Sequence, residues 1–385
     1  MDDLAALVAG ELPAAVELRH RLHADPRLSG DEDDTAEALC AAIGGPADRI
    51  AKTGRLLRIG SATGPAVVLR AELDALPLHE RSGVPWASTS GVMHACGHDV
   101  HCAALAAVAR AARSTDLPVG LLILLQPREE YVLSGAVDVL ADEAFAAHEP
   151  AAVVGVHLQP QLARGQVGVS PGPVNAAGDH LEITVTGHGG HGAYPHRTDD
   201  PVLALAQVVV ALHHLVSRRV DPLHSAVLTI GELHAGTASN IIPGSASATG
   251  LLRTLDPGVR DRLHAAVRTT VGGVAMAYGC HGAVTISEVN PVLDNHPALA
   301  AATAEELAGG QLTPTDFRSC GADDFAFYSA EIPSVMIFVG TNDADLGLPG
   351  LHHPEFAPPD EIISEVCAAY LAGFHGALAA VVNAS

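Results

Sequence analysis

The nine residues His94-Ala95-Cys96-Gly97-His98-Asp99-Val100-His101-Cys102 place three imidazoles, two thiols and a carboxylate just ahead of a helical run. Such donors, delivered from a loop and a helix start, can converge on a metal ion. The spacing fits neither a zinc finger nor a redox Cys-x-x-Cys pair, and the same residues would also serve as satisfied polar groups at a helix N-terminus. Further along, an apolar strand over residues 121–125 ends in Gln126-Pro127-Arg128-Glu129-Glu130, at the C-terminal edge where open α/β sheets place their sites. Neighbours on extended backbone point in different directions, so one carboxylate can bind a metal while the other faces a bound water as general base. Alone, such a pair is ordinarily surface charge. The next strand ends in Val156-His157-Leu158, and Leu351-His352-His353-Pro354-Glu355-Phe356 precedes the final helix. Together these four places carry enough donors for two metals.

A second set lies between them. The run from Gly187 to His196, with His191 at its centre, follows a strand, and Gly236-Thr237-Ala238-Ser239-Asn240 opens another glycine-led loop. Glycines permit close backbone approach, and a His or Asn presented there can stabilise an oxyanion. The run lacks the strand-turn-helix context and the later ribose-binding acid of a dinucleotide fingerprint. Arg253, on an otherwise apolar strand, suits either a substrate carboxylate or a structural ion pair.

The elements that must position these residues fall into two textures. Up to about Pro171, apolar runs at 66–70, 120–125 and 152–156 are separated by helical patterns at 14–22, 100–113 and 134–147, which predicts a sheet covered by helices. After Ser170-Pro171-Gly172-Pro173, alternating strands at 181–186, 226–232 and 247–253 combine with helical patterns at 201–217 and 259–278. Strand, helix, two strands, helix, strand is the order of an α+β sandwich. The expectation is an α/β domain over 1–173 and 287–385, with an inserted α+β domain over 174–286. In the last part, helices at 297–307 and 360–382 flank an apolar run at 334–339.

Composition narrows the function. A chain of 385 residues exceeds what one core usually organises. With 44 acidic against 21 basic residues the net charge is −23, which repels a phosphate backbone and excludes nucleic acid as a natural partner. The acidic stretch 31–34 reads as a solvated turn. No basic-then-apolar leader is visible and no unbroken apolar run approaches the roughly 18 residues that would span a bilayer. No membrane partner is expected. Six cysteines lie too far apart for a small disulfide scaffold, so a reducing cytoplasm is expected.

These motifs resemble the aminoacylase and hippurate-hydrolase branch of the dinuclear metallopeptidases, which includes plant hydrolases of indole-acetic acid conjugates. The resemblance runs from Arg21-Leu22-His23-Ala24-Asp25-Pro26 through Arg70-Ala71-Glu72-Leu73-Asp74-Ala75-Leu76-Pro77, Gly91-Val92-Met93-His94-Ala95-Cys96-Gly97-His98-Asp99 and the Glu pair to Leu351-His352. It covers nearly the whole chain in order. It implies a zinc-peptidase-like catalytic domain with an inserted ferredoxin-like dimerisation or lid domain. It also implies a site of Cys96, His98, Glu130, His157 and His352 for two divalent ions, Mn2+ or Zn2+. Glu129 is implied as general base and Asp74 as the buried acid that orients a ligand. His191, Asn240 and Arg253 would handle the substrate carbonyl and carboxylate, with His191 able to act in a neighbouring subunit of a homodimer paired through 174–286. Three positions depart from the family pattern: Glu72 for a common Asp, Arg128 for a usually small residue, and Asp323-Asp324-Phe325 for Glu-Asp-Phe. Arg128 and Asp323 would bear on substrate preference.

The expected function is hydrolysis of N-acetyl or N-aroyl L-amino acids by a water bridging two ions, with Glu129 as proton shuttle. A dipeptidase or carboxypeptidase using the same site is the alternative, and a catalytically silent metal-binding protein a third. Glu129 argues against silence, because a ligand-only site has no need for a second adjacent carboxylate.

Overall fold

The computed structural model describes residues 2–131, 134–343 and 347–382. The strands are β1 (Asp48–Ile50), β2 (Gly54–Ile59), β3 (Ala66–Glu72), β4 (Gly120–Gln126), β5 (Pro150–Ala163), β6 (Gln166–Gly168), β7 (Gly172–Asn175), β8 (Ala177–Thr186), β9 (Gly190–His191), β10 (Ala226–Ala235), β11 (Ile241–Ile242), β12 (Ser245–Thr254), β13 (His281–Asn290), β14 (Leu293–Asn295), β15 (Thr313–Thr315) and β16 (Ser334–Asn342). The helices are α1 (Asp2–Ala24), α2 (Asp33–Ile43), α3 (His98–Ala112), α4 (Gly135–Leu140), α5 (Glu143–Ala147), α6 (Pro201–Arg219), α7 (Pro257–Ala277), α8 (Pro297–Ala308), α9 (Ala326–Glu331) and α10 (Ile362–Ala377). The chain forms two compact units, one of residues 1–172, 294–318 and 327–385, the other of 173–293 and 319–326.

The first unit is built on an eight-stranded sheet of order β1-β2-β4-β3-β5-β16-β6-β15, in which β4, β3, β5 and β16 run parallel. Every residue of β3 and β4 is buried, as parallel strands covered on both faces must be. Helices α3 and α10 lie against this sheet. Alanine and glycine let them approach closely: a Cβ added at Gly373 of α10 would fall 2.4 Å from Val154 Cγ1 on β5. The helical pattern at 134–147 resolves into two short helices. Ser134 Oγ caps α4 and Asp142 Oδ1 caps α5, the latter accepting from Ala144 N at 3.0 Å, and this second cap interrupts the helix.

The second unit carries a four-stranded antiparallel sheet of order β10-β12-β8-β13. In chain order it reads strand, helix, two strands, helix, strand, which is the ferredoxin-like arrangement. Burial alternates along β8, so Leu181, Ile183 and Val185 form one core with Leu205 and Val208 of α6 and Leu263 and Val267 of α7. Asp200 and Asp256 cap these helices, each followed by proline in the first turn. A boundary at 286 would cut β13, which stays paired with β8 as far as Asn290.

Two helices, Pro201–Arg219 and Ile362–Val382, are long and apolar enough to cross a membrane by length and composition. Isolated polar residues interrupt both, so neither is an unbroken apolar run. Each is explained without a membrane: the first lays a buried stripe on the second unit's sheet, and the second belongs to the first unit's core.

Candidate metal centre

Parallel pairing brings the ends of three strands level. Glu72 on β3 is paired with Gln126 on β4, and Arg70 is paired with Gly155, which puts His157 of β5 at the height of Glu72. Beyond these ends come Asp74, then Glu129 and Glu130. The first turn of α3 adds His98, preceded by Cys96 and a left-handed Gly97 at φ 87°. A side chain at Gly97 would meet Leu158 Cδ1 at 2.6 Å, so glycine is required there on both counts.

Cys96, His98 and His157 have donor atoms within 4.8 Å of one another, and so do Cys96, Glu130 and His352. The thiol belongs to both groups. Cys96 Sγ lies 3.4 Å from His157 Nε2, and His352 Nε2 lies 3.3 Å from Glu130 Oε1. Glu129 stands beside them, its Oε2 3.9 Å from His98 Nε2. His352 sits in left-handed backbone at φ 60° and donates its N–H to Ala95 O. His353 instead accepts from Glu355 N through Nδ1, which separates the two adjacent histidines.

The imidazoles are oriented from behind. His98 Nδ1 donates to Asp74 O at 2.8 Å and His157 Nδ1 donates to Leu158 O at 2.7 Å, leaving both Nε2 lone pairs toward the cluster. His98 Nε2 is buried and has no hydrogen-bond partner among the described residues, and Glu130 Oε1 is met by His352 at 3.3 Å. An orphaned buried acceptor beside a thiol is costly unless a cation completes it, so the donor set fits divalent ions. Burial disfavours a charged His98, yet Glu72, Glu130 and Asp74 together raise its pKa. Burial likewise works against an ionised Glu130, but His352, His98 and His157 hold its pKa low. The pocket is therefore a field built for positive charge.

Several roles are not visible in the sequence. Asp74 keeps its carboxylate 3.8 Å from His98 Nδ1 and spends it on backbone, accepting from Glu129 N at 3.1 Å, Glu130 N at 2.9 Å and Ser29 Oγ at 2.6 Å. His101 donates through Nδ1 to Glu72 and accepts from Leu158 N through Nε2. It thereby steadies the peptide that holds His157. Glu72, longer than the common Asp, also pairs with the buried Arg70. The stretch 31–34 is not simply a solvated turn, because Glu32 is fully buried. Nor does Arg128 offer its charge to a substrate: its guanidinium is taken by Asp138 at 2.6 Å.

In the second unit, the pairing of β9 with β11 brings His191 opposite Ile241, next to Asn240. His191 Nδ1 accepts from Ala193 N at 3.0 Å, which makes Nε2 the protonated nitrogen, the tautomer an oxyanion donor needs. Arg253 pairs with Gly178, and a Cβ there would fall 2.5 Å from its guanidinium. The nearby Asp179 is held by Arg260 at 2.7 Å. Asp323, in the Asp-Asp-Phe segment, caps its own turn by accepting from Phe325 N.

The model of the peptidase family M20/M25/M40 matches residues 68–374. An N-acetyl-L-cysteine deacetylase of Bacillus subtilis is 35% identical over 348 residues, covering 88% of this chain and 82% of that protein. An N-acetyldiaminopimelate deacetylase of Exiguobacterium sibiricum is 32% identical over 359 residues, covering 91% and 95%. A crystal structure from Bacillus subtilis, described as a dinuclear metal binding peptidase from the M20 family, superposes with a TM-score of 0.81 at 29% identity, covering 96% and 99%. The chain belongs to the peptidase family M20/M25/M40, as a metal-dependent hydrolase of amide bonds.

Proposed function

We propose that the chain hydrolyses N-acetyl or N-aroyl L-amino acids to an amino acid and a carboxylic acid. Cys96, His98, Glu130, His157 and His352 would hold two divalent ions. Imidazole and carboxylate suit manganese or zinc, and the thiolate favours zinc. When bound, the ions would supply Lewis acidity to the scissile carbonyl and acidify the attacking water. Glu129 takes the proton of that water as the new C–O bond forms, then returns it to the amine as the C–N bond breaks. His191 and Asn240 donate to the developing oxyanion, and Arg253 forks onto the free carboxylate. The observation that carries the reading is the pair of three-donor groups sharing Cys96, with a further carboxylate, Glu129, within 4.8 Å of the donor atoms of His98 and Glu130. The deacetylases among its relatives support an acyl amino acid as substrate. The test is amine release from N-acetyl and N-benzoyl amino acids and from dipeptides by the metal-reconstituted protein. The acyl amino acids should lead in kcat/KM by at least about tenfold; the reverse order would favour a dipeptidase.

The chain would work as a homodimer through its second unit, with His191 completing the partner's site. Support comes from exposed Leu203 and Val210 on α6, exposed Met276 on α7 and the open edge of β10. Mixing and refolding inactive Glu129→Gln with inactive His191→Ala chains should restore activity; a mixture that stays dead rejects delivery across the dimer.

A further inference from the structure

Residues 128–130 present three successive backbone N–H groups to two carboxylates that are fully shielded from solvent. Glu32 Oε1 accepts from Arg128 N at 2.9 Å, and the two oxygens of Asp74 accept from Glu129 N and Glu130 N. The other oxygen of Glu32 accepts from Thr53 Oγ1 at 2.6 Å, so this carboxylate is committed to its place before α2. Arg128 stands in left-handed backbone at φ 55°, a conformation that crowds any Cβ. Its guanidinium is anchored to Asp138 at 2.6 Å and Ala51 O at 3.4 Å, and its carbonyl accepts from Gly135 N at 3.1 Å. Gly135 must be glycine, because a Cβ there would fall 1.7 Å from Pro127 O.

We propose that Glu32 and Arg128 are positioning residues for Glu129. They hold position 128 in its left-handed conformation and so fix the direction in which Glu129 leaves the end of β4. Asp74 restrains the two residues that follow, and Glu32 and the Arg128 anchors restrain the backbone before them. The inference rests on the reading of Glu129 as general base.

Two pairs of variants of the metal-loaded enzyme test it. Arg128→Ala removes the anchors but keeps a Cβ in left-handed backbone, whereas Arg128→Gly removes the anchors and the crowding together. Misplacement of Glu129 in the alanine variant should lower kcat by at least about tenfold, with KM and metals per chain unchanged, and the glycine variant should recover most of that loss. Glu32→Ala should likewise lower kcat and speed hydrogen exchange at the amides of 128–130. Glu32→Gln, whose amide oxygen still accepts from Arg128 N, should recover most of the loss. The proposal is overturned if Arg128→Gly turns over no faster than Arg128→Ala, or if metal is lost in step with kcat. Should Arg128→Ala fail to fold, the Glu32 pair decides in the same way: a glutamine variant no faster than the alanine variant overturns it. Full activity of Glu129→Gln would instead overturn the reading of Glu129 itself.

Discussion

The metal cleft and the second unit hold their polar residues in opposite ways. In the cleft, His98 and His157 each commit one ring nitrogen to a backbone carbonyl, and Asp74 holds the backbone of both glutamates. In the second unit, His191 is exposed and fixed only in tautomer, while the side chains of Asn240 and Arg253 make no hydrogen bond among the described residues. Groups proposed to hold an ion are ordered by the protein itself. Groups that would meet a substrate keep their hydrogen-bonding capacity unspent. Mutations behind the imidazoles of the cleft should therefore act through the metal, and mutations in the second unit through the substrate.

The largest effect expected from that contrast lies behind the cleft. His101→Ala frees the Leu158 peptide that steadies His157, and metal affinity measured by chelator competition should fall by about tenfold to a hundredfold. Turnover should return at excess metal. An unchanged affinity would mean that His157 needs no such support.

In the second unit, Arg253→Ala should lower kcat/KM for an acyl amino acid by about tenfold or more beyond the loss on its carboxamide. The melting temperature should hold, since among the described residues Arg253 makes no hydrogen bond and meets Asp179 only through its charge. Equal losses on the two substrates would return Arg253 to a structural role.

The smallest effect is on stability. His23 is buried, which alone would lower its pKa, but Asp99 and Glu80 grip both ring nitrogens and raise it to about 9. A raised folded-state pKa stabilises fully below the unfolded value near 6.5, and the contribution fades as pH rises through about 9. It amounts to about 3 kcal/mol at most. Urea denaturation from pH 6 to 10 should show this decline in the wild type and not in His23→Gln; parallel curves would contradict it.

The candidate donor clusters and both sheets were legible because their signals are local. Donor clusters sit at strand ends, strands buried on both faces read as unbroken apolar runs, and the second unit alternates strand and helix in ferredoxin-like order. The supporting layer was not legible, because its contacts join distant positions. Asp74 meets residues 55 and 56 positions away, and Glu32 meets Arg128 across 96. A buried glutamate among aspartates looks like surface charge until the fold encloses it. Arg128 looks like a substrate contact until its backbone turns the side chain toward Asp138.

The central claim is that ion holding and proton transfer belong to adjacent but different carboxylates. Glu129→Gln keeps the side chain's size and removes its basicity, so metals per chain and kcat measured on the same metal-loaded preparation test it most directly. The account predicts about two ions per chain retained and turnover of N-acyl amino acids lowered by at least about a hundredfold. Wild-type turnover in that variant, or loss of an ion together with activity, would contradict it.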